Sequence, residues 1–169
     1  MKRWGLIVLA ACALAAGCDD DNSTGPSSTP LVFTALLSPA SEVPAIGNAE
    51  SVGRGAVQVM FNVTRDSSSN ITGGTATFHF QLNDFPGTIT VVGAHIHSAP
   101  AGVNGPIVVN TGVTGFQLTG GNGSLDVTSN PVDATLINAI ANNPGGYYFN
   151  VHSPLNPGGF ARGQLVRVQ

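Results

Sequence analysis

Apolar and polar positions alternate in short runs along most of this chain, and the alternation is cleanest between residues 55 and 82. Over Gly55–Val63, residues Val57, Val59, Phe61 and Val63 fall on one side of an extended strand, because successive strand side chains point to opposite faces. Over Thr75–Leu82, Ala76, Phe78, Phe80 and Leu82 share one face, and Thr75, Thr77, His79 and Gln81 share the other. Comparable runs predict strands over Leu31–Leu37, Thr88–His97, Pro106–Asn110, Val113–Leu118, Ser124–Thr128, Gly146–Ser153 and Ala161–Val168, punctuated by Gly, Asn, Pro and Ser. One segment departs from this rhythm. Pro131–Asn142 spaces Leu136, Ile137 and Ile140 as a helix does, with Asn130 or Asp133 as cap and Asn143-Pro144-Gly145 as the stop. Many short strands with a single short helix predict an all-β domain, an antiparallel sandwich or partly closed barrel. With no tandem repeat and no second compositional regime, residues 31–169 read as one domain.

The first apolar run has a different purpose. Lys2 and Arg3 precede an apolar segment from Trp4 to Ala16, which has the length of a secretory signal and is too short to span a bilayer. It closes on Leu14-Ala15-Ala16-Gly17-Cys18, which resembles the lipobox of bacterial lipoproteins. That resemblance implies removal of residues 1–17 and acylation of Cys18 as the first mature residue. The expected address is the bacterial cell envelope, with the domain held to a membrane by lipid and facing the periplasm or the exterior. Residues 19–30 are rich in turn formers and offer nothing to bury, so they read as a tether that reaches about 40 Å at roughly 3.3 Å per residue. Asp19, beside the lipid-bearing Cys, resembles an inner-membrane retention signal of some bacteria.

Composition narrows the remaining choices. After residue 17 the chain keeps four basic residues, Arg54, Arg65, Arg162 and Arg167, against nine acidic ones, a net charge of −5, and it has no lysine. No basic face can gather phosphates, which argues against nucleic acid as a partner. Anionic lipid headgroups are likewise poorly matched, so the membrane link rests on the acyl anchor. The two cysteines are Cys12, inside the signal, and Cys18, the lipid site. No disulfide is therefore expected, and stability falls to burial and sheet hydrogen bonds.

Histidines carry the candidate chemistry. In a strand, His95 and His97 project to one side while Ala94 and Ile96 project to the other. His152 lies on the polar row Tyr148-Asn150-His152 of a second strand. If the two strands are neighbours, three neutral imidazoles converge on a set that suits zinc or copper. The competing reading has the three histidines bonding backbone around the Gly102–Gly105 loop and fixing its shape. His79 stands alone on a polar face and reads as solvated. The chain shows no Gly-x-Ser-x-Gly elbow, phosphate loop or H-E-x-x-H motif, and its carboxylates are scattered. Gly102-Val103-Asn104-Gly105-Pro106 and Pro157-Gly158-Gly159 read as turns. Arg162 can pair with Glu42, cap loop carbonyls near the histidines, or stand at the rim.

Four blocks together resemble the CHRD domain, first defined in chordin and also found in bacterial exported proteins. They are Ser41-Glu42-Val43-Pro44, then Ala94-His95-Ile96-His97 with Gly102-Val103-Asn104-Gly105-Pro106-Ile107-Val108-Val109, then Tyr148-Phe149-Asn150-Val151-His152-Ser153, and finally Pro157-Gly158-Gly159 with Arg162-Gly163-Gln164-Leu165. Ser98-Ala99-Pro100 stands where the family usually has a glycine-bearing turn, and Phe160-Ala161 replaces its closing Glu-Ile. The resemblance implies an all-β domain of immunoglobulin-like or barrel-like form without a firmly assigned catalytic activity. A looser similarity to copper–zinc superoxide dismutase rests on the paired histidines, the later histidine and the closing Gly/Arg strand. Three readings follow. The leading one is a non-enzymatic, lipid-anchored binding module with an envelope protein as partner. The second is a periplasmic copper- or zinc-binding protein using His95, His97 and His152. The third, minor one is a dismutase-type metalloenzyme.

Overall fold

The computed structural model describes residues 29–169; the signal segment, Cys18 and the tether up to residue 28 lie outside them. The alternating runs become β1 (Leu31–Leu37), β2 (Arg54–Arg65), β3 (Ile71–Asn83), β4 (Thr90–Val91), β5 (Gly93–Ser98) and β6 (Ile107–Asn110). There follow β7 (Phe116–Gln117), β8 (Gly123–Val132), α1 (Ala134–Asn142), β9 (Tyr147–His152), β10 (Ala161–Gln164) and β11 (Val166–Arg167). They assemble into a five-stranded sheet, β11-β1-β2-β3-β8, a four-stranded sheet, β10-β9-β5-β6, and the small ribbon β4-β7. All pairings are antiparallel. Among the described residues the fold is an all-β sandwich with one short α-helix, and no barrel closes.

The predicted faces meet between the two sheets. Phe78 and Phe80 of β3 are fully buried and pack on Phe149 of β9, each with a centroid separation of 5.7 Å. Phe33 meets Phe61 edge-on at 5.7 Å in the same core. Burying one such ring contributes about 1.5–3 kcal/mol relative to leaving it in water. Ala94 and Ile96 of β5, with Phe149 and Val151 of β9, face this core, so their alternate neighbours must face outward.

The strand expected over Val113–Leu118 shrinks to Phe116–Gln117 and that over Ser124–Thr128 grows to Gly123–Val132, and three further boundaries shift for local reasons. The helix begins at Ala134 rather than Pro131, because Asp133 accepts the Leu136 N–H at 2.9 Å and caps it there. Pro131 and Val132 instead extend β8 along β3. The run Thr88–His97 breaks at Val92, whose N–H turns to the His152 carbonyl at 2.9 Å. Finally, Ala161–Val168 divides at buried Leu165 and crosses between the sheets, so that β10 pairs with β9 and β11 with β1. An isolated bridge between Ser38 and Arg162 ties the two sheets along this edge. Among the described residues no helix is long and apolar enough to cross a membrane.

Candidate metal centre

The outer face of the four-stranded sheet is polar, yet much of it is buried. Strand parity places Gly93, His95 and His97 of β5 on that face, beside Tyr148, Asn150 and His152 of β9 and Arg162 of β10. The register sets His97 opposite Tyr148, His95 opposite Asn150, and Gly93 opposite His152. His95 and His152 are therefore diagonal neighbours, with ring centroids 4.8 Å apart, and His97 lies 5.7 Å from each of the other two. A donor atom from each of the three rings lies within 4.8 Å of the others, the one such group of metal-ligating side chains among the described residues. The expected triad is thus brought together by adjacent strands.

Gly93 makes the diagonal approach possible. A Cβ there would sit 2.9 Å from His95 Cε1, closer than real Cβ contacts, so any larger residue would displace that ring. Gly105 acts through close approach as well, since a Cβ would meet the Ser98 carbonyl oxygen at 2.0 Å. The positive φ expected of this turn belongs to Gly102, at 80°.

Two rings are oriented from behind. His97 Nδ1 lies 2.9 Å from the Gly105 carbonyl, and His152 Nδ1 lies 3.0 Å from the Pro157 carbonyl. A carbonyl can only accept, so each Nδ1 carries the proton and each Nε2 presents a lone pair. Both Nε2 atoms, and His95 Nδ1, are buried without a hydrogen-bond partner. Backbone carbonyls that fix a ring's tautomer are a standard outer layer of metal sites. Three nitrogens bound to one ion at about 2.0 Å lie about 3.4 Å apart; the rings need to draw in by about 1 Å, a small side-chain adjustment.

Burial governs the protonation of the cluster. It pushes His95 down to about 4, with the neighbouring His152 and His97 adding to the fall. His97 and His152 are also lowered, mainly by burial, against the opposing hydrogen bonds to Gly105 and Pro157. All three imidazoles are held neutral at pH 7, the form that binds metal.

A second layer surrounds them. Tyr148 stacks on His97, with centroids 4.9 Å apart and planes 10° from parallel, and its hydroxyl accepts the Gly105 N–H at 3.2 Å. Arg162, only 2% exposed, places its guanidinium carbon 4.6 Å from the Tyr148 centroid. It donates to the Ser41 carbonyl at 2.6 Å, the Val103 carbonyl at 3.3 Å and Asn104 Oδ1 at 2.8 Å. Its carboxylate partner is Glu42, at 4.0 Å. Burial pushes Glu42 up to about 7, against the pull of Arg162 and Asn150. Two of the expected roles of Arg162 therefore coexist, carboxylate pairing and capping of loop carbonyls, and the exposed rim position is excluded.

His79 lies on the other sheet, half exposed, and meets Asp126 across the strands at 2.6 Å. It takes no part in the cluster. Sequence reasoning missed Gly93 and the Pro157 carbonyl behind His152, whereas the bond from His97 to the Gly105 carbonyl is the loop contact that the competing reading of the histidines expects. Parity alone puts Gly93 beside His95, but its facing His152 depends on strand register.

A family model for the CHRD domain matches residues 33–165. No curated protein and no solved structure matches the chain.

Proposed function

The chain belongs to the CHRD domain family, and from that premise we propose that it is a non-enzymatic binding module of the bacterial cell envelope. It is tethered by lipid on Cys18, and its ligand is a transition metal ion held by His95, His97 and His152. One observation carries the metal reading. Each histidine has one buried ring nitrogen without a partner, a donor atom from each ring lies within 4.8 Å of the others, and the Nδ1 atoms of His97 and His152 are fixed by carbonyls. A buried polar atom without a partner costs about 1–3 kcal/mol, so one ion satisfying three such atoms repays an arrangement that is otherwise unfavourable. The donor set suits copper or zinc, and a bound ion here would act as cargo or as a clamp on the Gly105 and Pro157 loops. The test is a melting curve of the purified protein with and without added metal. Binding to the folded chain raises the Tm by mass action, and His152→Ala should abolish that rise. A Tm indifferent to both metals in the wild-type protein overturns the reading.

A further inference from the structure

The charges around the cluster sort metal ions by their own charge. All three donors are neutral, and no carboxylate oxygen belongs to the group. The cation nearest in the packing is Arg162, buried and linked to His97 through the intervening Tyr148 ring. Its counter-charge is weak. Glu42 approaches no closer than 4.0 Å, its Oε1 has no partner, and burial raises it to about 7, so that near neutral pH only part of it is ionised. The other buried acid, Glu50, commits Oε2 to Ser153 at 2.7 Å and to Asn156 at 2.5 Å.

Two general arguments then point the same way. The desolvation penalty of an ion grows as the square of its charge, so a dication pays about four times the monocation's penalty in the same neutral shell. Repulsion from Arg162 grows in proportion to the ion's charge as well. Coordination number adds a separate argument: beside three imidazoles zinc completes its four ligands only by holding a water, whereas monovalent copper is satisfied by three. The protein supplies three.

Resting on the metal reading above, we infer that the site is selective for monovalent over divalent ions and that its metal is copper held as Cu(I). Cu(II) is the stringent competitor, because it binds nitrogen sites more tightly than the other divalent first-row ions. Titration of the whole purified protein under anaerobic conditions decides the matter, with Cu(I) delivered from its bicinchoninate complex and Cu(II) and Zn(II) each competed against a chromophoric chelator. Cu(I) should bind at least tenfold more tightly than Cu(II), which places the potential of the bound copper at least about 59 mV above the aqueous couple. It should exceed Zn(II) by at least a hundredfold. Arg162→Met, which removes the charge, should narrow the Cu(I)/Cu(II) ratio at least threefold, whereas Arg162→Lys should keep it. Cu(II) or Zn(II) binding as tightly as Cu(I) overturns the selectivity and leaves the metal site standing. So does a ratio unmoved by Arg162→Met. Absence of binding by all three ions overturns the metal site itself.

Discussion

Replacing Glu42 by Gln should make the protein more stable in mild alkali and change little in mild acid. The folded chain holds the Glu42 proton up to about pH 7, against an ordinary value of 4.5. A group whose folded pKa is raised contributes stability that is complete below its unfolded pKa and is lost as pH rises through the folded pKa. Glu42 therefore favours folding below about pH 4.5 and surrenders that contribution between 4.5 and 7. Raising the carboxyl from 4.5 to about 7 corresponds to roughly 3 kcal/mol. Gln keeps the shape of the neutral acid, retains an acceptor toward Arg162 and never ionises. Glu42→Gln should accordingly gain up to about 3 kcal/mol over the wild type at pH 8 and match it near pH 4. Urea denaturation of both proteins at the two pH values measures the difference directly. A variant less stable than the wild type at pH 8 would show that the ionised Glu42–Arg162 pair holds the loops together, and the reasoning above would be wrong.

Further outcomes follow from other parts of the molecule. Phe78→Ala and Phe80→Ala should each destabilise by about 3–5 kcal/mol, while His79→Ala between them should cost under about 1 kcal/mol; equal losses for all three would refute the facing of β3. Gly93→Ala should push the His95 ring aside and weaken metal binding at least about tenfold while the metal-free protein stays folded, and unchanged affinity would remove Gly93 from the site. Cys18→Ser should release the protein from membranes into the soluble envelope fraction or the medium, since the acyl chains contribute about 0.8 kcal/mol per buried methylene. A variant that still pellets with membranes after a high-salt wash would contradict the anchor.

What was legible in the sequence was whatever depends on parity along one strand. The period-two pattern set Phe78 and Phe80 against His79, and it set His95 and His97 on a common side. Local signals also narrowed the helix cap to Asn130 or Asp133, of which Asp133 accepts the Leu136 N–H. What was not legible depends on register between strands far apart in the chain. His152 reaches His95 because β9 pairs with β5 so that His152 faces Gly93, and many other registers preserve the same parity. The break at Val92 and the crossing at Leu165 are likewise settled by hydrogen bonds to distant carbonyls, those of His152 and Tyr147. The depth of the cluster was hidden for a related reason. Loops from Ala99 to Pro106 and from Ser153 to Gly159 fold over an outward strand face that alternation alone would give to solvent, and their carbonyls at Gly105 and Pro157 hold the rings.

The most direct measurement is elemental analysis of the protein purified under native conditions without chelators, compared with His97→Ala and His152→Ala prepared in the same way. The account predicts close to one equivalent of transition metal in the wild type and a small fraction of that in each variant. A wild-type protein free of metal that also takes up none on dialysis against copper or zinc, or variants that retain the full equivalent, would contradict it.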